Sequence, residues 1–487
     1  MPAPFRIPHL PPASSTAFDS SSLEHPTATA STPSTAPTTQ RSPATVTEVP
    51  LVLQGNALQI LPQSKANLTH SISPSASNQQ QKTAGVIESK PLLMGYYVGW
   101  AIDVFPPEKV DFSRYDWIDF AFAVPTAEFG LAWDEAAAPG VLTRLVTAAH
   151  LRHSKVKLSI GGWTGSKHFS AAVSTAERRE LLAKDIFEVY SLYDLDGIDL
   201  DWEYPGHEGN KGNTFHRSDT ANLLSFLTDL RSTLPPSAVI TAAVQAFPFA
   251  DENGSALSDT SAFARVLDWV VIMNYDTWGS STSPGPNAPL YDSCGNSTQP
   301  ESSALAGYKA WTASGFPVSK LVMGLPSYGY VQHSGAQRLR NRNYFDQGGN
   351  SDNGDDEGAD EGHGTPQQKP SGSGPPPLEI VEDEEQIQFR ELVKQGALTR
   401  APMSANDTYP RYLGSGGFER RWDPCSETPF LRSEFAGQVV TYDDPESLAL
   451  KARFAKEVGL LGVNMFDVHG DTDDYVLIDS VRTAMGL

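Results

Sequence analysis

No run of this sequence approaches the eighteen or so consecutive apolar residues that a membrane-spanning helix needs, so no membrane span is expected. Cysteine is nearly absent. The two present, Cys294 and Cys425, are too few for a disulfide framework, and no CxxC or His-rich spacing accompanies them. Neither a metal nor a cofactor is therefore expected. The pair can form one bridge or remain two buried thiols; the polar, turn-rich text around each ("YDSCGNS", "WDPCSET") favours the bridge. Positive charge is short as well. Lys and Arg total 36 against 58 Asp and Glu, for a formal charge of −22, which disfavours nucleic acid or an anionic membrane surface as a partner. No Gly-rich phosphate loop follows the first apolar run, as a dinucleotide fold would require. The opening text "MPAPFRIPHLPPASSTAF" lacks an apolar h-region and does not look like a secretory signal. Asn67, Asn253, Asn296 and Asn406 sit in Asn-x-Ser/Thr sequons, which matter only on a secretory route.

Residues 1–90 are rich in Ser, Thr, Pro, Ala and Gln and show no periodicity. That composition cannot bury enough apolar surface to offset chain entropy, so a disordered tail is expected. From residue 91 to 487 the text changes. Eight short apolar runs follow one another: "LLMGYYVGW", "WIDFAFAV", "KVKLSIGGW", "LDGIDLDWEY", "AVITAAVQAF", "LDWVVIMNYD", "SKLVMGLPSYG" and "LLGVNMF". Amphipathic stretches such as "ERRELLAKDIFEVYSLY", "TANLLSFLTDLRSTL" and "DPESLALKARFAKEVG" lie between them. Near-continuous apolar strands alternating with helices imply a parallel sheet covered on both faces. Eight such units predict an α/β fold, a closed (β/α)8 TIM barrel, with an open doubly wound sheet as the alternative. The gap between the seventh and eighth runs is too long for an ordinary connection. We expect a small α+β insertion module at 331–440, interrupted by a low-complexity acidic loop at 348–378.

The fourth run carries the chemistry. In a strand, side chains two apart share a face. In "DLDGIDLDWEYPG", Asp199, Asp201 and Glu203 therefore fall on one side, roughly 7 Å apart. Ile198, Leu200 and Trp202 fall on the other. If the apolar side meets the helices, the three acids point into the barrel and climb toward its C-terminal mouth, where this fold keeps its active sites. Asp196 has the opposite parity and is expected to be structural. Caps or surface charges are the plainer reading, but acids at alternate positions within a β-favouring run do not fit helix caps.

The stretch resembles the signature of the family 18 glycoside hydrolases, Asp-Gly-x-Asp-x-Asp-x-Glu, which stands here as Asp196, Gly197, Asp199, Asp201 and Glu203. "SIGG" at Ser159–Gly162, Met273, Tyr275 and Asp276 in "MNYD", and "GLPSYG" are similar to further motifs of that family. The likeness covers about 92–487 and, within the family, is greatest to fungal chitinases carrying an insertion domain. It implies hydrolysis of β-1,4-linked N-acetylglucosamine polymers with retention, in which the sugar's own 2-acetamido group attacks the anomeric carbon. Chitin or chitooligosaccharides would be the partners of a monomer placed outside the cell or in its wall. Glu203 is then the general acid/base, its pKa raised by neighbouring carboxylates. Asp201 orients the acetamide, Asp199 shares a proton with Asp201, and Tyr275 donates to the attacking carbonyl. Substrate contacts are expected from Tyr97, Phe122, Gly162, Trp163, Met273, Asp276, Tyr328, Trp422 and Phe466, with Trp278 and Gln245 as further candidates. Phe466 stands where the family usually has Trp, and Tyr330 where many members have Arg. Two alternatives remain open: a non-catalytic chitin-binding lectin, and an endo-β-N-acetylglucosaminidase acting on N-glycans.

Overall fold

The computed structural model describes residues 90–279, 283–339, 376–380, 385–405 and 407–487, together with the backbone of Phe5–Arg6. The tail expected at 1–90 and the acidic loop expected at 348–378 lie outside the described residues, apart from the backbone of Phe5–Arg6 and residues 90 and 376–378.

Each of the eight apolar runs forms a strand: β1 (Leu92–Val98), β2 (Trp117–Pro125), β3 (Lys155–Gly161), β4 (Gly197–Asp201), β5 (Val239–Val244), β6 (Trp269–Ile272), β7 (Leu321–Pro326) and β8 (Gly462–Phe466). Each pairs in parallel with the next, and β8 pairs in parallel with β1. The sheet thus closes into a TIM barrel.

The outer layer is helical. α1 (Ala138–His150) follows β2, and α2 (Phe169–Val173) and α3 (Ala176–Leu192) follow β3. α4 (Asp219–Thr233), α5 (Ser261–Val266) and α6 (Ala304–Ala313) follow β4, β5 and β6. β1 is joined to β2 by 3₁₀ turns alone, at Gly99–Ala101, Pro107–Lys109 and Phe112–Arg114. Local chemistry sets several helix starts. Thr175 accepts from the Arg178 amide to cap α3, and Asp444 with Ser447 forms a reciprocal capping box at the start of the helix Pro445–Glu457.

Between β7 and β8 the chain builds an antiparallel sheet of five strands. Their spatial order is Gln386–Gln388, Tyr328–His333, Gln438–Thr441, Thr428–Ser433 and Glu419–Asp423. α7 (Phe389–Lys394) and a two-stranded ribbon of Leu398–Arg400 with Tyr412–Gly414 complete the insertion. α8 (Pro445–Glu457) then leads into β8, and α9 (Val476–Met485) follows it. Cys294, in the β6–α6 connection, is bonded to Cys425 in the turn between two insertion strands, with 5.3 Å between their Cα atoms. The bridge ties the insertion to the barrel.

The barrel interior is layered. Met94, Trp117, Trp269, Val271 and Val322 plug the N-terminal end. Above them lies a buried polar layer of Asp119, Lys157, Ser159, Asp199, Thr241 and Asn464. Tyr96, Val98, Ala101, Ala121 and Phe122 cluster near the mouth, with Phe466 packed against them. The barrel interior of this fold is ordinarily filled by branched apolar side chains, so the polar middle layer needs a reason.

Candidate active site

Strand parity places the carboxylates. Ile198, Leu200 and Trp202 are buried in the main core outside the barrel wall, and Trp202 stacks on Phe169 at 5.1 Å. Asp199, Asp201 and Glu203 take the opposite face. Asp199 is fully buried, Asp201 is nearly so, and Glu203 is half-buried. Asp196, outside the row, accepts from the Val156 amide and bonds His150 Nε2, each at 2.9 Å. It is a structural tie.

Asp199 is saturated. Its Oδ2 accepts from Tyr96 at 2.9 Å and Ser159 at 2.8 Å, and its Oδ1 from Thr241 at 2.5 Å. Asp201 differs: its Oδ1 is buried and has no hydrogen-bond partner among the described residues. Burial drives the Asp201 carboxyl well above the usual carboxylate range, and the charges of Glu203, Asp199 and Asp119 add to the effect. Tyr275 stands close by, its phenol pushed up first by burial and then by Asp201. Tyr204, next in sequence to Glu203, hydrogen-bonds the Glu203 side chain. The arrangement presents a buried carboxyl with an unfilled acceptor oxygen and a phenol donor beneath one half-exposed glutamate.

The backbone of Glu203 is held from two sides. Its amide donates to Ser166 Oγ at 2.9 Å, and its carbonyl accepts from Asn213 Nδ2 at 3.3 Å. Ser166 is fully buried and also bonds the Gly162 carbonyl at 2.9 Å. The Gly162 amide donates to the Asp201 carbonyl at 2.8 Å, and its φ of +84° is a conformation that suits glycine. Gly162 thus shapes the mouth through its backbone.

Phe122 reaches the mouth by an irregularity. The β2–β3 register shifts between Phe120 and Ala123, so Ala121 and Phe122 both turn inward while Phe120 packs outside. Such a bulge re-aims a side chain. Phe122 stacks near Trp100 with ring centroids 6.1 Å apart. Met273 continues the inward parity of Trp269 and Val271 and is partly exposed. Phe466 ends β8, its ring 5.3 Å from Tyr96 and 6.1 Å from Tyr275. Trp163 is 40% exposed just past β3.

Two sequence expectations are corrected. Tyr97 is not at the cleft: it lies in the outer core, 1% exposed, with its hydroxyl on the Phe105 carbonyl at 2.8 Å. Parity is the cause, and the inward residue is its neighbour Tyr96. Tyr328 offers no free ring face, being 2% exposed and packed edge-on against Tyr275 and Phe466. Its hydroxyl instead donates to Asp276 Oδ1 at 2.5 Å, beside a second bond from Tyr330 at 2.7 Å. Trp422 lies partly exposed on the edge strand of the insertion sheet, under the Arg420 guanidinium at 5.3 Å. Asp276 itself is exposed, with its amide on Asn287 Oδ1 at 2.9 Å. Trp278 is buried, and the Gln245 carbonyl accepts from Trp311 Nε1 at 3.0 Å.

Sequence reasoning missed Tyr96, Ser166, Asn213 and the pair Asp119–Lys157. For that pair a signal existed. Each charge interrupts a buried apolar strand, and the two are direct partners across the β2–β3 register.

These features define a (β/α)8 barrel with a carboxylate row at its mouth. The model of the glycosyl hydrolases family 18 matches residues 92–471, and the chain belongs to that family. A chitinase-like effector of Moniliophthora roreri is 36% identical, the alignment covering 80% of this chain and 92% of the relative. Chitinase A1 of Niallia circulans is 27% identical over 65% of this chain and 40% of its own length. Among solved structures, a chitinase from Rhizomucor miehei superposes with a TM-score of 0.60 at 27% identity, covering 81% of this chain and 99% of that one.

Proposed function

We propose that this protein is a chitinase, cleaving β-1,4-linked N-acetylglucosamine polymers with retention by substrate assistance. The observation that carries the reading is Asp201 Oδ1, a buried acceptor without a partner among the described residues, directly below Glu203 and beside Tyr275. An acetamide N–H fits it. In the first step the sugar's acetamide oxygen bonds to the anomeric carbon, and the glycosidic oxygen leaves with the proton of Glu203. Asp201 accepts the acetamide N–H and holds the carbonyl in attack position, and Tyr275 donates to the attacking carbonyl oxygen. In the second step Glu203 removes a proton from water, which opens the ring from the face the leaving group vacated. Two inversions give retention. Phe122, Trp163 and Phe466 supply sugar-stacking faces, Met273 and the Gly162 backbone line the mouth, and Asp276, gripped by Tyr328 and Tyr330, meets a hydroxyl. The Cys294–Cys425 bridge supports an oxidising location outside the cell or in its wall.

A second reading is that the protein binds chitooligosaccharides without cutting them, and the name of the Moniliophthora relative, a chitinase-like effector, is what favours it. The test is fluorophore release from an N,N′-diacetylchitobioside by wild type and Glu203→Gln. Wild-type turnover with a loss of about 10²–10⁴-fold in the variant is expected. Turnover that survives the substitution removes Glu203 as the acid. Binding of N,N′,N″-triacetylchitotriose without turnover by the wild type selects the second reading. An N-glycan substrate run in parallel tests the endo-β-N-acetylglucosaminidase alternative.

A further inference from the structure

One cation stands inside the barrel below the carboxylate row, and the chemistry above does not use it. Lys157, on β3, is fully buried. Its ammonium pairs with Asp119 Oδ1 at 2.9 Å and lies 4.0 Å from Asp199 Oδ1. It also sits over the Trp269 ring at 4.7 Å. Asn464 Nδ2 closes the other side of Asp119 at 2.8 Å. Room for the lysine chain comes from Gly197, its register partner on β4: a Cβ there would fall 3.0 Å from Lys157 Cγ and 2.4 Å from the Val239 carbonyl oxygen. The titratable groups beside Lys157 are Asp119 from β2 and Asp199 from β4. Tyr96, Asp201, Glu203 and Tyr275 continue the same row toward the mouth. β6 and β7 contribute Trp269, Val271 and Val322, none of them ionisable.

The ammonium fixes the direction of a hydrogen-bond chain. Lys157 Nζ donates to Thr241 Oγ1 at 2.7 Å. An ammonium has only donors. Thr241, accepting from it, must spend its one proton on Asp199 Oδ1, at 2.5 Å. The other oxygen of Asp199 already receives Tyr96 and Ser159. Burial pushes the Tyr96 phenol well above its ordinary value, so that donor keeps its proton. Asp199 is therefore met by three donors and is bound as an acceptor only, while Asp201 just above it holds an unfilled oxygen.

We propose that Lys157 is a positioning residue: through Thr241 it holds Asp199 as the ionised member of the row, and so confines the row's proton to Asp201 and Glu203, on the substrate side. This replaces the sequence expectation of a proton shared between Asp199 and Asp201. The placement of the proton rests on geometry alone. Its kinetic consequence rests on the hydrolase reading.

Two measurements on the full chain test it. The first needs no turnover: the infrared C=O stretch of protonated carboxyl groups at pH 7, above the value of about 6 to which Asp119 and Asp471 are raised. Asp201→Asn removes a band that Asp199→Asn leaves. In the double variant Lys157→Met/Asp119→Asn, which leaves no unpaired buried charge of the ion pair, a band survives Asp201→Asn because Asp199 now takes the proton. A wild-type band that Asp199→Asn abolishes and Asp201→Asn spares overturns the proposal, and so does the absence of any band assignable to the row. The second is the pH profile of kcat/KM on the chitobioside. A neutral Asp199 repels a proton-holding neighbour less as that neighbour ionises, so the basic limb of the double variant moves down by about one pH unit. Thr241→Val moves it the same way, and Thr241→Ser restores the wild-type limb. A double variant with an unmoved limb reduces the pair to a structural prop. A wild type without turnover refutes the hydrolase reading while the infrared result still decides where the proton sits.

Discussion

At the scale of single residues, adjacent positions separate structure from chemistry. Tyr96 and Tyr97 are neighbours on β1 with opposite parity. Tyr96 meets Asp199 inside the barrel, and Tyr97 meets the Phe105 carbonyl outside it. Tyr97→Phe therefore removes one buried neutral hydrogen bond. It is expected to lower stability by about 1 kcal/mol and to leave KM and the pH profile of hydrolysis in place. Tyr96→Phe takes a donor from a charged acceptor, a bond of roughly twice the strength, and is expected to lower kcat about tenfold with KM little changed. Thermal melts and kinetics on the two variants together check this. Equal kinetic effects would mean that parity does not divide the roles as the hydrogen bonds indicate.

At the scale of elements, what could be read from the sequence was periodicity. Strand β4 shows it best, since a two-residue repeat of acids against Ile198, Leu200 and Trp202 fixes both faces at once. What could not be read was set by partners far away in sequence. The bulge that turns Phe122 inward is visible only once β2 has paired with β3. Tyr328 looks like a mouth aromatic until the insertion sheet buries its ring. Ser166 is a further case: nothing in its local text shows that the β3–α2 connection folds back onto β4, where its hydroxyl receives the Glu203 amide. Ser166→Ala leaves that amide and the hydroxyl's carbonyl partners short of bonds. A stability loss of about 1–3 kcal/mol is expected, along with a fall in kcat of about tenfold or more as Glu203 loses its fixed height above Asp201. Ser166→Thr, which keeps the hydroxyl, serves as the control for the bond itself. If Ser166→Ala melts lower with kcat unchanged, the contact supports the fold and not the acid.

At the scale of the whole molecule, the placement of charge sets a pH response opposite to that of most acid-sensitive proteins. The chain carries a formal charge of −22, and its most perturbed carboxyls are raised rather than lowered. Burial lifts Asp119 to about 6 despite the nearby Lys157 ammonium, and lifts Asp471 to about 6 despite amide bonds from Leu477 and Ile478 at the start of α9. In the unfolded chain both titrate near 3.9. Between about pH 4 and 6 the folded state therefore holds protons that the unfolded state has released, so stability falls as pH rises through that window. Each group contributes on the order of 2–3 kcal/mol across it. The carboxyls that act in the other sense, Glu108, Glu177, Asp251, Asp259, Asp407 and Glu419 among them, sit at the surface. There solvent and salt screen them, and they matter only below the window. Calorimetry at constant ionic strength is thus expected to show a midpoint that climbs by a few degrees from pH 7.5 to 5 before it turns down in stronger acid. The Lys157→Met/Asp119→Asn variant removes one of the raised carboxyls, a set that also includes Asp201 and Asp443, and should flatten that climb in part. A wild-type midpoint that falls steadily below pH 7 would mean that the polar layer of the barrel is wetter than the structure shows, and that its carboxyls ionise as freely as those outside.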